Sequence, residues 1–245
     1  MARKPRLVIG TSGWSYPEWR RDFYAGVPQR KWLAHYASRF SGIEVNATFY
    51  RRQRFETYQL WHDETPAGFV FSVKGHRAVT HYRKLADVSA SVAQMKEDLK
   101  PLGKKLAVVL WQLPPGLHRD DALIKGFLVH LNVWPETRHV LEFRHESWFC
   151  DQVAEGLENH RMGTVISDAA NWPRWDRVTG GLAYIRLHGG METYVSEYGD
   201  GGLRPWAERI NAWRRSGNDV HVYFDNDIGG AAPRDAERLI AMLND

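Results

Sequence analysis

The sequence predicts an α/β protein, a single (β/α)8 TIM-type barrel spanning residues 1–245, and three observations point there. Short β-branched or apolar runs recur about eight times, the number that closes a parallel barrel. Amphipathic stretches separate nearly all of them, and strand alternating with helix implies right-handed crossovers and parallel pairing. No linker rich in Pro, Gly and Ser divides the chain, and 245 residues suffice for one full hydrophobic core.

The first run, "RLVIGTSGW", ends in a turn whose two glycines suit close approach of backbone N–H groups and Trp14 to a ligand. An amphipathic helix over 30–40 leads to "GIEVNATFY", and one over 55–64 leads to "GFVFSVKGH". Helices over 88–102, 120–131 and 151–160 precede "KLAVVLWQLPP", "RHVLEFRHESW" and "MGTVISDA" in turn. The stretch "NWPRWDRVTG" carries no helical pattern before "GLAYIRLHGG". A helix over 203–216 precedes "DVHVYFDND", and one over 233–243 completes the alternation.

Composition narrows the classes. The chain is 43% hydrophobic and 25% charged, without low-complexity runs, which places it with ordinary globular proteins. The apolar run behind the basic start stops at Gly10 and Thr11, too short for a signal-peptide core or a membrane span, so a soluble cytoplasmic protein is expected. The one cysteine, Cys150, has no intramolecular disulfide partner and no thiolate cluster for a structural metal. Neither G-x-G-x-x-G after the first strand nor G-x-x-x-x-G-K-[ST] occurs, so dinucleotide and P-loop sites lack their fingerprint and no cofactor is expected.

Two-residue alternation sorts the polar residues of the strands onto one face. Glu44 and Asn46, Ser72 and Lys74, Glu142 and Arg144, Arg186 and His188, and His221, Tyr223 and Asp225 all fall opposite apolar neighbours. In a barrel the helix-facing side is apolar, so these residues point inward, near the strands' C-terminal ends where barrel active sites lie. Buried ion pairs contribute little net stability, and one unpaired member costs roughly 3–5 kcal/mol, so several of them are a poor way to fill space. A binding site is the better explanation.

Lys74, Arg144 and Arg186 supply positive charge for a phosphate or carboxylate. Glu44 or Glu142 is the expected base and His188 the acid or proton shuttle, with Asn46 orienting the substrate. The expected partner is a small anionic ligand such as a phosphorylated sugar or nucleotide, and an enzyme is favoured over a pure binder.

A rival reading places a divalent metal on Glu142, Asp168, His188 and Asp225, although the interleaved Lys and Arg would repel a cation. A second rival is a non-catalytic nucleic-acid-binding module using the basic cluster Arg51, Arg52, Arg54, Arg77, Arg83 and Lys84. Aromatic residues at or after strand ends, among them Trp14, Tyr16, Trp19, Phe49, Tyr50, Trp111 and Trp148, suit either a stacking rim or packing. Trp172 and Trp175 bracket Arg174 in the loop after the sixth run.

The strings "GTSGWSYPEWRRDFY", "IEVNATFY", "WQLPP", "LEFRHESW", "YIRLHGG" and "YFDND", in this order from Leu7 to Leu243, resemble the YecE-like proteins, the domain-of-unknown-function family numbered 72. The resemblance implies a TIM-type barrel, distantly similar to sugar isomerases and apurinic endonucleases, and no settled activity. The family's shared polar positions match Ser12, Gly13, Trp14, Glu44, Asn46, Thr48, Tyr50, Lys74 and Gln112 in the first half. In the second half they match Glu142, Arg144, Trp148, Arg186, His188, Gly189 and Asn226, and the resemblance implies Gln112 and Asn226 as substrate-orienting residues beside Asn46. Two positions depart from the pattern: Asp225 stands where Asn is usual, and "RRQR" follows "TFY" in place of a Pro-containing turn.

Overall fold

The structure is a computed structural model and describes residues 4–244. Eight strands form one all-parallel sheet: β1 (Leu7–Thr11), β2 (Gly42–Val45), β3 (Val70–Lys74), β4 (Leu106–Gln112), β5 (Arg138–Glu142), β6 (Gly163–Asp168), β7 (Leu182–Leu187) and β8 (Asp219–Phe224). Their order around the sheet is β1-β8-β7-β6-β5-β4-β3-β2, as the sequence predicts for a barrel.

The seam between β1 and β2 is closed mainly by side chains. Tyr36 inserts its hydroxyl there, accepting from Thr11 N at 2.7 Å and donating to Gly42 O at 3.2 Å. Ser41 Oγ accepts from Ile9 N at 3.0 Å, and Ser12 pairs with Glu44 at the top of the seam. A Cβ on Gly10 would lie 2.0 Å from Gly42 O, so glycine alone allows the two strands this close.

The helices are α1 (Trp32–Arg39), α2 (Ala47–Tyr50), α3 (Phe55–Asp63), α4 (Ser89–Leu99), α5 (Asp121–His130), α6 (Asp151–Asn159), α7 (Gly199–Arg215) and α8 (Ala231–Asn244). α5 starts where the sequence predicts because the Asp120 side chain accepts from Ala122 N and Leu123 N, a cap that contributes about 1 kcal/mol. No helix lies between β6 and β7, as expected.

Three boundaries differ from the sequence pattern. α4 ends at Leu99 and gives way to a 3-10 stretch through Lys105, because Pro101 and the left-handed Gly103 (φ 51°) stop the α-helical ladder. α7 begins at Gly199, a turn before 203, running through glycines that propensity alone disfavours. The second run leaves the sheet at Val45 and turns into α2, which carries Phe49 under the barrel mouth.

Alternation places two cores. Val8, Val70, Val108, Leu110, Val140, Val165, Leu182, Tyr184 and Tyr223 fill the barrel, while Ile9, Ile43, Phe71, Val109, Trp111, Leu141 and Ile166 pack outward against the helices. Each such fully buried aliphatic side chain contributes roughly 1.5–3 kcal/mol. Above the apolar barrel filling, the inward positions turn polar. No helix among the described residues is long and apolar enough to cross a membrane.

Candidate active site

Most of the residues that alternation assigned to the inner face sit in or under a cavity of about 470 Å³ at the C-terminal mouth, while Ser72, His221 and Tyr223 bond to one another deeper in the barrel. Asn46, Lys74, Gln112, Arg144, Arg186 and Asp225 line it, with Tyr50 at the rim. Below them lie Ser12, Glu44, Glu142 and His188, all fully buried.

Arg186 is the hub. Its Nε contacts both Glu44 oxygens at 3.0 and 3.1 Å, and Nη2 reaches Glu44 Oε1 at 2.8 Å and Asp225 Oδ2 at 2.8 Å. Nη1 donates to Glu142 Oε2 at 3.1 Å and to His188 Nε2 at 3.3 Å. The remaining carboxylate capacity is also used. Ser12 Oγ donates to Glu44 Oε1 and Tyr184 OH to Glu44 Oε2, each at 2.7 Å. Ser167 Oγ donates to Glu142 Oε1 at 2.6 Å and Arg144 Nε to the same oxygen at 2.7 Å. The Arg144 guanidinium also stacks 3.5 Å over the Trp172 ring.

The electrostatics follow from this packing. Burial works to raise the Glu142 pKa, but Arg144 and then Arg186 more than reverse it and hold the carboxylate well below its usual range. Asp225 is likewise held low: burial opposes ionisation, and Arg186, then His188, overrule it. Burial, then Arg186, lowers the His188 pKa. Because Arg186 donates to Nε2, the ring proton belongs on Nδ1. Nδ1 lies 2.9 Å from Asp225 Oδ2 at an angle too poor for a hydrogen bond.

Asp227 is the residue that sequence reasoning missed. Burial first and the neighbouring Asp225 second push its pKa well above the carboxylate range, which favours its protonated form. Its Oδ2 accepts from Tyr16 OH at 2.7 Å, while Oδ1 is buried without a donor. A proton on Oδ1, aimed at Asp225, resolves both features. Carrying the alternation of His221, Tyr223 and Asp225 one step further finds it. Tyr16 and Tyr194, which also line the mouth, come from loops where no period operates.

Lys74 differs from the other cations. Among the described residues its Nζ makes no hydrogen bond and no ion pair, and it sits 4.4 Å over the Phe49 ring. Burial, then Arg186, pulls its pKa down to about 8. The Asn46 Oδ1, His188 Nδ1 and Asp227 Oδ1 atoms are three of the six buried polar atoms left without a hydrogen bond among the described residues. Of these, Asn46 and Asp227 line the mouth, where a ligand or water can meet them.

Several expected ligand residues lie elsewhere. Trp148 is fully buried, donates from Nε1 to Leu117 O at 2.8 Å and stacks on Phe143, outside the barrel. Trp14 packs edge-on against Trp61 at 5.2 Å. Asn226 points away from the mouth, and its Nδ2 donates to Ser196 O and Asp235 Oδ2, both at 3.0 Å. Ser12 reaches the site only through Glu44.

Of the four residues of the metal reading, Asp168 is separate: Arg174 holds Oδ1 and Tyr198 holds Oδ2, each at 2.8 Å. No group of three or more His, Cys, Asp or Glu among the described residues is arranged to hold a metal ion. In the basic cluster, Arg52 is paired with Asp98, and Arg77 lies over the exposed rings of Tyr50 and Tyr82 at 5.8 and 5.4 Å. Arg51, Arg54, Arg83 and Lys84 are exposed.

The chain is 24% identical to the UPF0759 protein YunF of Bacillus subtilis (strain 168), over 97% of this chain and 95% of that protein. Its fold is similar to the crystal structure of a DUF72 family protein from Thermotoga maritima MSB8, with a TM-score of 0.88 and 25% identity over 98% of this chain and 100% of that one. A DUF72 family protein from Enterococcus faecalis V583 matches with a TM-score of 0.83 and 19% identity, covering 97% of this chain and 95% of that one. The family model described as protein of unknown function DUF72 matches residues 8–245, and the chain belongs to that family, as the six ordered strings implied.

Proposed function

We propose that the barrel mouth binds a small anionic compound, such as a phosphorylated sugar or nucleotide, and performs acid–base chemistry on it with its own side chains. The observation that carries this reading is Lys74, a cation lining the cavity with no carboxylate partner while the neighbouring carboxylates are taken up by Arg186 and Arg144. An anion entering the cavity gives Lys74 its missing partner. Asn46 Oδ1 and the Gln112 amide orient the ligand. Asp227 donates the proton and becomes a carboxylate beside Asp225, which Arg186 already holds charged. Glu44 and Glu142 then serve to fix Arg186 and Arg144, since their lone pairs are already engaged.

A thermal-shift screen against inorganic phosphate, sugar phosphates and nucleotides tests this, because a ligand present at 100 times its Kd stabilises by about 2.7 kcal/mol. A shift that disappears in Lys74→Met supports the assignment. A screen with no shift from any anion removes it.

Single-stranded nucleic acid is a second reading, favoured by Arg77 between the exposed rings of Tyr50 and Tyr82 at the edge of the mouth. Oligonucleotide binding on this face should weaken steeply with salt and with Tyr82→Ala. Salt-independent or absent binding excludes it.

A further inference from the structure

Among the described residues two lysines are buried, Lys74 and Lys105, and they are held in opposite ways. Lys105 Nζ donates to Thr65 O at 2.6 Å and to Thr65 Oγ1 at 3.1 Å, and also to His62 O. It is a structural lysine with its hydrogen bonds met. Lys74 Nζ has no acceptor among the described residues, although three carboxylates stand around the same cavity. Its backbone is nonetheless fixed, since Thr48 Oγ1 donates to Lys74 O at 2.7 Å. The side chain rests on Phe49 and lines the space where a ligand enters.

Its Nζ opens onto the cavity rather than being sealed in, and the partial loss of water around it favours the neutral amine over the ammonium. The local charges act the same way: Glu44, Glu142 and Asp225 are drawn toward Arg186, and the nearby guanidinium disfavours a second cation. With its pKa at about 8, Lys74 presents on the order of 100 times more neutral amine at pH 7 than an ordinary lysine.

We infer that Lys74 is a covalent catalytic residue whose amine condenses with the carbonyl of an aldehyde or ketone that also bears a phosphate or carboxylate. This deepens the anion-binding reading and rests on it, with Arg144 and the remaining ammonium fraction drawing the charged end inward. The neutral Lys74 nitrogen adds to the carbonyl carbon. A C–N bond forms, and the carbonyl electron pair moves to oxygen, which takes the proton released from nitrogen. The carbinolamine then loses water: Asp227 protonates the leaving hydroxyl as the nitrogen lone pair forms the C=N bond. The products are a protonated imine, one water and the Asp227 carboxylate, so atoms and charge balance. Asn46 Oδ1, buried without a donor beside the same cavity, accepts from the carbinolamine hydroxyl.

The test is reductive trapping on the full chain. The protein is incubated with dihydroxyacetone phosphate or with pyruvate in the presence of sodium cyanoborohydride, and the adduct is located by peptide mapping. Melting temperature is followed in parallel with glycerol 3-phosphate, which carries the phosphate but no carbonyl. The expected result is one adduct per chain on Lys74, formed at least tenfold faster than on any other lysine, slowed by glycerol 3-phosphate and absent in Lys74→Arg. Labelling spread over surface lysines, or no label on Lys74 with either probe, overturns the inference. If glycerol 3-phosphate still raises the melting temperature in that case, the anion-binding reading stands without the imine. If it does not, both fall. Mapping of the wild-type protein decides the matter even if the variant folds poorly.

Discussion

Glu44 on β2 and Arg186 on β7 meet inside the barrel in a two-pronged ion pair, with Nη2 2.8 Å and Nε 3.0 Å from Oε1. The same guanidinium reaches Glu142 and Asp225. Removing it leaves Glu44 and Asp225 without their guanidinium partner and Glu142 with Arg144 alone, so Arg186→Met should destabilise the fold by roughly 3–5 kcal/mol. Urea denaturation checks this. A change below about 1 kcal/mol would mean that water replaces the guanidinium at little cost.

The seam between β1 and β2 depends on one hydroxyl. Tyr36→Phe leaves Thr11 N and Gly42 O short of a partner inside the protein, which costs about 1–3 kcal/mol. Amide hydrogen exchange at Thr11 should accelerate more than at β6 or β7. Uniform acceleration over all strands would place the closure elsewhere.

Acid should weaken the fold before the carboxylates titrate. Burial, then Arg6, lowers His221 to about 3, and burial lowers His139 to about 4. The unfolded chain therefore binds protons that the folded chain refuses once the pH drops below about 6.5. Stability is fully present above that value and declines as pH falls toward 4, with His221 alone accounting for about 3 kcal/mol by pH 4. Denaturation midpoints at pH 7.5, 6 and 5 measure the slope. His221→Gln should flatten it, and a flat wild-type profile would contradict the assignment.

Asp225 and Asp227 share a site in which burial and the charge on Asp225 favour a protonated Asp227. In Asp225→Asn the neighbouring charge is gone, and Asp227 should titrate closer to the ordinary carboxylate range. Carbon-13 carboxyl shifts followed against pH report it. An Asp227 that titrates identically with and without Asp225 would show that burial alone holds its proton.

Much of this site can be read from the sequence, because a strand's two-residue period is strict over the four to seven residues of each strand here. Glu44, Lys74, Glu142, Arg144, Arg186, His188 and Asp225 all follow from it, and all are in or under the mouth. Asp227 lies beyond the end of β8, one step past the alternation that ends at Asp225. Trp148 and Asn226 came from shared family positions, which record packing as well as binding; each is held by hydrogen bonds outside the cavity. The isolation of Lys74 could not be read at all. It depends on how carboxylates from β2, β5 and the end of β8 divide between two arginines, a tertiary outcome without a local pattern.

Lys74 itself is the most direct place to look. Nitrogen-15 NMR of the lysine Nζ, titrated against pH with and without inorganic phosphate, reads the amine at the centre of the proposed site. It should titrate near 8 in the free protein, and its pKa should rise with phosphate, because a bound anion favours the ammonium. A Lys74 signal at the ordinary lysine value, unmoved by phosphate or by any phosphorylated sugar, would contradict the proposed role of the barrel mouth.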